Sequence, residues 1–321
     1  MADPLTVAQH PLSRREILYP CAKGSVRETY DLLVAHSPGR PSLERLRRRY
    51  WRRFLAPGEH WRLATQDPWL RAVLGAYYRY LRQVLTGGPR RDAEDRLYRD
   101  LLQVLPVAGA AHPGLDDLED VLGAEFARRG LRFIGGTTPP YRGPYIWRDT
   151  EVARYRVEIP DGAEDLTAYF CSGFLACGWL DFATFGQLGT AGWARPDGVY
   201  VVRRRFARLT GPQFTVELLR HEAQHLRDMR LYPDLPPEDL EYRAKLVEIV
   251  YAPSLRRLGL WRRGALDDRE NAHAHSAHRV VTELDRRVGA HHWRLPALAA
   301  TALDLLQEDT ARLRACGPSA G

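Results

Sequence analysis

Lysine is almost missing from this 321-residue chain: only Lys23 and Lys245 occur, so 47 − 2 = 45 of its basic residues are arginines. Such a skew, beside abundant Ala, Leu and Gly, reads as the codon bias of a GC-rich genome. The net charge of +7 is therefore not by itself the footprint of a nucleic-acid binder. No run of about 18 apolar residues exists, which excludes a membrane-spanning helix by hydropathy. The N-terminal stretch MADPLTVAQHPLSRREIL lacks a basic start followed by an apolar run, so the expected compartment is the cytoplasm. Cysteine is scarce as well: Cys21, Cys171, Cys177 and Cys316 form no CxxC pair. The usual thiolate metal spacings are absent, and Cys171 and Cys177 lie in an apolar segment as buried free thiols do. No GxxxxGK[ST] and no GxSxG occurs, so neither a phosphate-cradling loop nor a serine-hydrolase elbow has support.

What is present is a chain that is 45% hydrophobic and 27% charged, a globular composition with enough apolar surface for a real core. Its texture changes twice. From about 12 to 128, apolar residues recur at three and four, as in SVRETYDLLVAH and PWLRAVLGAYYRYLRQVL, which predicts helices. In RLRRRYWRRF (45 to 54) the arginines predict a solvated helix face, with Leu46, Tyr50 and Phe54 on the other side. A further helix from Leu115 closes at Gly130. From about 131 the period falls to two. LRFIGG, RYRVEIP, LTAYFCSGF and VYVVRRRF read as strands. GWLDFATFGQLGTAGWARPDG and TPPYRGPYIW read as irregular loops. Helices return from Thr210. The expected fold class is α+β: a mostly helical catalytic unit with a small mixed sheet preceding a motif helix. The organisation expected is a helical region over 1–130 and a metallohydrolase region over 131–321, packed as one compact unit.

The motif is RHEAQHL at 220 to 226. The surrounding TGPQFTVELLRHEAQHLRDMRLYP predicts one helix, capped by Thr210 with Gln213 in capping-box register, and ended by Pro233. Phe214, Leu218, Leu219, Ala223 and Leu226 form its core stripe. His221 and His225 stand at i and i+4, so both imidazoles leave one face and suit a single zinc ion. Glu222 is rotated about 100° from His221, outside the same coordination sphere but within reach of a water, the place of a general base. A chance HExxH in such a chain has a probability on the order of a few per cent. The bland reading, two surface histidines, is weakened by the core leucines that flank the motif.

A third ligand is sought in PPEDLEYRAKLVEIVY, a proline-opened helix with the stripe Leu240, Ala244, Val247 and Tyr251. Glu241, 241 − 225 = 16 residues after His225, is the first candidate. Glu248 is the second. A His2Glu set leaves one position open for water. HEAQH followed by EYRAKL resembles the gluzincin branch of the zincin metallopeptidases. That resemblance implies zinc on His221, His225 and Glu241, Glu222 as catalytic base, a peptide or protein substrate, and VYVVRRRF as the strand lining the substrate cleft. The spacing to the glutamate is shorter than in the best-known gluzincins, and their NExxSD-type context is missing. Residues 115 to 280 also resemble bacterial zincin-like proteins of no assigned activity, through GWLDFATFG and GTAGWA.

Around this core, ENAHAHSAHRVVTEL offers His273, ahead of His275, as a donor to a developing oxyanion. Trp193 and Tyr200 are candidates for the wall of a substrate pocket. Two other readings stay open: a non-catalytic module in which zinc staples two helices, and an arginine-rich nucleic-acid binder, for which no helix-turn-helix or RRM signature is present.

Overall fold

The computed structural model describes residues 12–105, 114–195, 197–264, 267 and 272–316. In chain order the helices α1 (Arg14–Ala22), α2 (Val26–His36), α3 (Pro41–Tyr50), α4 (Pro68–Leu85), α5 (Arg90–Leu102) and α6 (Leu115–Arg128) come first. Strands β1 (Arg132–Ile134), β2 (Thr137–Thr138), β3 (Tyr141–Arg142), β4 (Tyr145–Trp147), β5 (Asp149–Ile159), β6 (Gly162–Ser172) and β7 (Ala176–Cys177) follow. Then come helix α7 (Gly178–Ala183) and strands β8 (Gly192–Arg195) and β9 (Gly198–Val202). The remainder is helical: α8 (Pro212–Phe214), α9 (His221–Leu231), α10 (Pro237–Val250), α11 (Arg256–Gly264), α12 (Ala272–Val288) and α13 (Leu295–Cys316). The class is α+β, as expected. Among the described residues no helix is long and apolar enough to cross a membrane.

Two compact units result: 1–148 with 173–190, and 149–172 with 191–321. The division does not fall at 130. The reason lies in strand pairing. β4 hydrogen-bonds to β1 on one side and β7 on the other, and Phe133 stacks on Phe126 with ring centroids 4.9 Å apart. Residues 131 to 148 and 173 to 190 therefore belong with the N-terminal helices.

In the first unit the arginine-rich segment behaves as its period predicts. Tyr50 and Phe54 are buried, and Arg45, Arg48, Arg49 and Arg52 are exposed. The α3 helix runs on as a π-helical turn over Trp51–Leu55. Arg49 and Arg53 lay their guanidinium groups over the Phe185 ring, each 4.0 Å from its centroid. The segment read as a loop, GWLDFATFG, instead forms α7, with Trp179 and Phe182 in the core. TPPYRGPYIW likewise holds short strands rather than a loop.

In the second unit a four-stranded mixed sheet has the order β5-β6-β9-β8, with β6 and β9 parallel and the other pairs antiparallel. One sheet face carries Val157, Ile159, Leu166, Phe170, Val199 and Val201 into a core shared with Phe214, Leu218, Leu219 and Ala223. Burial of such side chains contributes about 1.5–3 kcal/mol each, which is what holds the motif helix on the sheet. VYVV was expected to line the cleft. It is β9, an inner strand between β6 and β8, and α9 packs against β5, β6 and β8. Close approach explains β8's glycine: a Cβ on Gly192 would lie 2.6 Å from the Tyr200 carbonyl oxygen and 2.9 Å from Leu218 Cδ1. Cys21, Cys171 and Cys177 are buried thiols.

Candidate metal centre

The motif helix is not one continuous α-helix. It opens at Pro212 with Gly211 as N-cap and no side-chain cap, so the expected Thr210 capping box does not form. Pro212 occupies the first turn, where a missing N–H costs nothing. Thr215–Arg220 is a π-helical stretch, and α-helical geometry resumes at His221. Such wide turns mark functional sites often. Here the transition sits immediately before HEAQH. The helix ends at Leu231, two residues before Pro233.

α10 packs against α9 with an unusual burial pattern. Every residue from Glu241 to Ile249 is buried, including Glu241, Arg243, Lys245 and Glu248. Charged side chains are tolerated there because each is paired. Arg243 donates to Asp228 Oδ2 at 2.8 Å, Asp309 Oδ2 at 2.9 Å and the Thr310 hydroxyl at 3.1 Å. This cluster ties α9, α10 and α13 together. Arg227 and Arg230 of α9 clamp Glu164 of β6 at 3.0 and 2.8 Å, which fixes the same helix to the sheet.

Between α9 and α10 three donors converge. Nε2 of His221 and Nε2 of His225 lie 3.0 Å apart. Glu241 Oε1 is 3.4 Å from His225 Nε2, and Glu241 Oε2 is 3.7 Å from His221 Nε2. One ligand atom from each of the three falls within 4.8 Å of the others. Two ligands at the usual zinc distance of about 2.0–2.1 Å, set tetrahedrally, would be about 3.3 Å apart. The His221–His225 and His225–Glu241 Oε1 separations match that figure within a few tenths of an ångström, while His221 is met more closely by the other oxygen, Oε2. The donor set, two imidazole nitrogens and a carboxylate, is one that zinc takes. The side chains present therefore fit the ion.

Glu248 lies on the other nitrogen of the same ring: its Oε1 is 2.7 Å from His221 Nδ1. Its Oε2 accepts from Arg257 Nε at 3.1 Å. Glu248 is thus a carboxylate that orients a histidine and fixes which nitrogen faces the centre, not a third donor beside Glu241. Among the described residues His225 Nδ1 is buried without a hydrogen-bond partner.

Charge in the centre is strongly coupled. Burial alone would lower the His221 pKa, but hydrogen bonds to Glu241 and Glu248 overcome it and raise the pKa to about 10. For Glu241 burial would raise the pKa, yet His221, His225, His273 and Lys245 hold it far below the ordinary carboxylate range. Glu248 is lowered against its own burial by His221 and Arg257. Both carboxylates favour the protonated form of His221.

Glu222, next along α9, is buried. His273 reaches the centre from α12: its Nδ1 is 2.8 Å from Glu241 Oε2 although its side chain is 74% exposed. His275 does not; it pairs with Asp267 at 2.8 Å. Trp193 and Tyr200 stack with centroids 5.6 Å apart, and Tyr200 stacks in turn on Tyr169 at 4.8 Å. The Tyr200 hydroxyl donates to Asp197 Oδ2 at 2.7 Å; burial first, then Asp197, pushes its pKa up to about 12.

Lys245 escaped the reading of the motif. Its Nζ is 2.5 Å from Glu241 Oε2 and 3.4 Å from His273 Nδ1. The available signal was its position at i+4 from Glu241 on the same helix. A scan against protein-family models matches none of them, and searches of curated proteins and of solved structures also find no match.

Proposed function

We propose that this chain is a zinc-dependent hydrolase acting on a peptide or protein, with the ion held by His221, His225 and Glu241. The observation that carries the reading is the convergence of these three donors at separations suited to zinc, beside a buried Glu222. A zinc ion in this place supplies Lewis acidity, lowering the pKa of a water and polarising a carbonyl. Glu222 takes the proton from the attacking water and passes it to the leaving amine. His273, whose Nδ1 faces Glu241 Oε2, can donate from Nε2 to the oxyanion only as an imidazolium. Trp193 and Tyr200, expected at the substrate cleft, stack on the sheet face opposite the one that carries Val199, Val201 and the motif helix, so they have no part in this reading. Three protein donors leave room for water, which favours a catalytic centre over a zinc staple.

The test is metal content of the purified protein by mass spectrometry, with peptide hydrolysis measured in parallel. The expected result is one zinc per chain, lost in His225→Ala and in Glu241→Ala. Glu222→Gln should keep the zinc and lose turnover by about 10²–10⁴-fold. A Glu222→Gln protein of full activity would sink the mechanism. Wild-type protein that takes up no zinc would sink the site.

A further inference from the structure

In a chain whose basic residues are 45 arginines and two lysines (47 − 2 = 45), one lysine is buried against the candidate metal centre. Lys245 and Glu241 form a pair at i and i+4, with side chains 5% and 12% exposed. A surface pair at this spacing would need no explanation. A buried one does, because taking both charges out of water costs more than an ordinary ion pair returns. Arg243, two residues earlier, shows how this helix buries a cation for stability: with two carboxylates and a hydroxyl around a guanidinium. Lys245 instead has a compact ammonium aimed at one oxygen.

Which oxygen matters. Oε2 of Glu241 is shared by Lys245 Nζ at 2.5 Å and His273 Nδ1 at 2.8 Å. Oε1 is the oxygen nearest His225 Nε2, at 3.4 Å, and Oε2 also lies 3.7 Å from His221 Nε2, so both oxygens stand within reach of the centre. An unrestrained carboxylate can offer a divalent cation both oxygens. This one has a competing cation on Oε2. We propose that Lys245 is a positioning residue of the metal centre: its ammonium reserves Oε2 of Glu241, so the carboxylate presents a single oxygen to the ion. The pair is also electrically neutral, so the ion meets less negative charge than the His2Glu set alone would offer. Both effects weaken metal binding and keep a coordination position free. The inference rests on the metal reading above.

The experiment uses the full chain and two readouts besides activity: zinc affinity by chelator competition, and the visible spectrum of the cobalt(II)-loaded protein. Intense cobalt bands mark four-coordination, and they weaken as a fifth ligand joins. Lys245→Met removes the ammonium at similar length. Binding about tenfold tighter is expected, as one nearby charge in a partly shielded site is worth on the order of 1 kcal/mol or more. Its cobalt bands should weaken. Lys245→Arg, which keeps a cation, should restore both toward wild type. If Lys245→Met does not fold, judged by circular dichroism, Lys245→Gln takes its place with the same expectation. Unchanged or weaker zinc affinity with unchanged cobalt bands would overturn the role of Lys245 while leaving the metal site standing. Wild-type protein that binds neither ion would overturn both.

Discussion

Glu248 Oε1 stands 2.7 Å from Nδ1 of His221, on the ring nitrogen that does not face His225. A carboxylate placed there aligns the imidazole and makes it a better donor. Glu248→Ala should therefore lower zinc affinity by about 10–100-fold without changing the stoichiometry of one. Chelator competition reads the first, and metal analysis at saturating zinc the second. Loss of all zinc would instead make Glu248 a ligand.

The proton on His221 predicts a second behaviour. A metal ion must displace it from Nε2, because the metal-free pKa is raised to about 10. At pH 7 to 8 zinc binding should release about one proton per ion. Calorimetry in buffers of different ionisation enthalpy measures this directly. Enthalpies that do not depend on the buffer would contradict it.

Acid should act on the sheet contact of the motif helix. Burial would raise the Glu164 pKa, but hydrogen bonds from Arg230 and Arg227 prevail and lower it. A lowered carboxylate stabilises the fold above its unfolded pKa, and the contribution is lost as pH falls through the folded value. Thermal midpoints should fall below about pH 4.5, the ordinary value for this group. Glu164→Gln should start from a lower midpoint at pH 7 and show a shallower acid slope. Equal slopes in the two proteins would place the acid sensitivity elsewhere.

Arg243 joins three helices through Asp228 and Asp309. Arg243→Ala leaves both carboxylates without their cation in the interior, so a loss of about 3–5 kcal/mol is expected. Denaturant unfolding followed by circular dichroism gives the figure. A change under about 1 kcal/mol would mean that water replaces the guanidinium.

The pattern of apolar residues was enough to read the helices of both ends, the strand alternation of Tyr155, Val157 and Ile159, and the pairing of His221 with His225. Glu241 was legible because a proline-opened helix with an apolar stripe follows the motif. Other features depend on contacts remote in sequence. α7 and β8 form where glycine and aromatic residues argue for loops: the Trp179 indole of α7 donates to the Thr138 carbonyl, and β8 completes its backbone bonds on β9. The division into units follows β4, which joins β7 some 30 residues later. Local periodicity contains neither fact. Glu248 was the second candidate ligand because it lies two turns beyond Glu241; that it meets Nδ1 of His221 is decided by how α10 packs on α9. The π-helical stretch before His221 left no mark in a pattern that an unbroken α-helix satisfies equally well.

The link from Asp228 through Arg243 to Asp309 and Thr310 places part of the support for HEAQH almost ninety residues downstream of the motif. A shorter relative or a proteolytic fragment that ends before Asp309 would still display every letter of HEAQH and EYRAK. It would lack the two side chains that answer Arg243 from the last helix. In this architecture the string and the support of its helix are separable, so an intact HEAQH…EYRAK in a truncated chain does not carry with it the packing of α9 seen here.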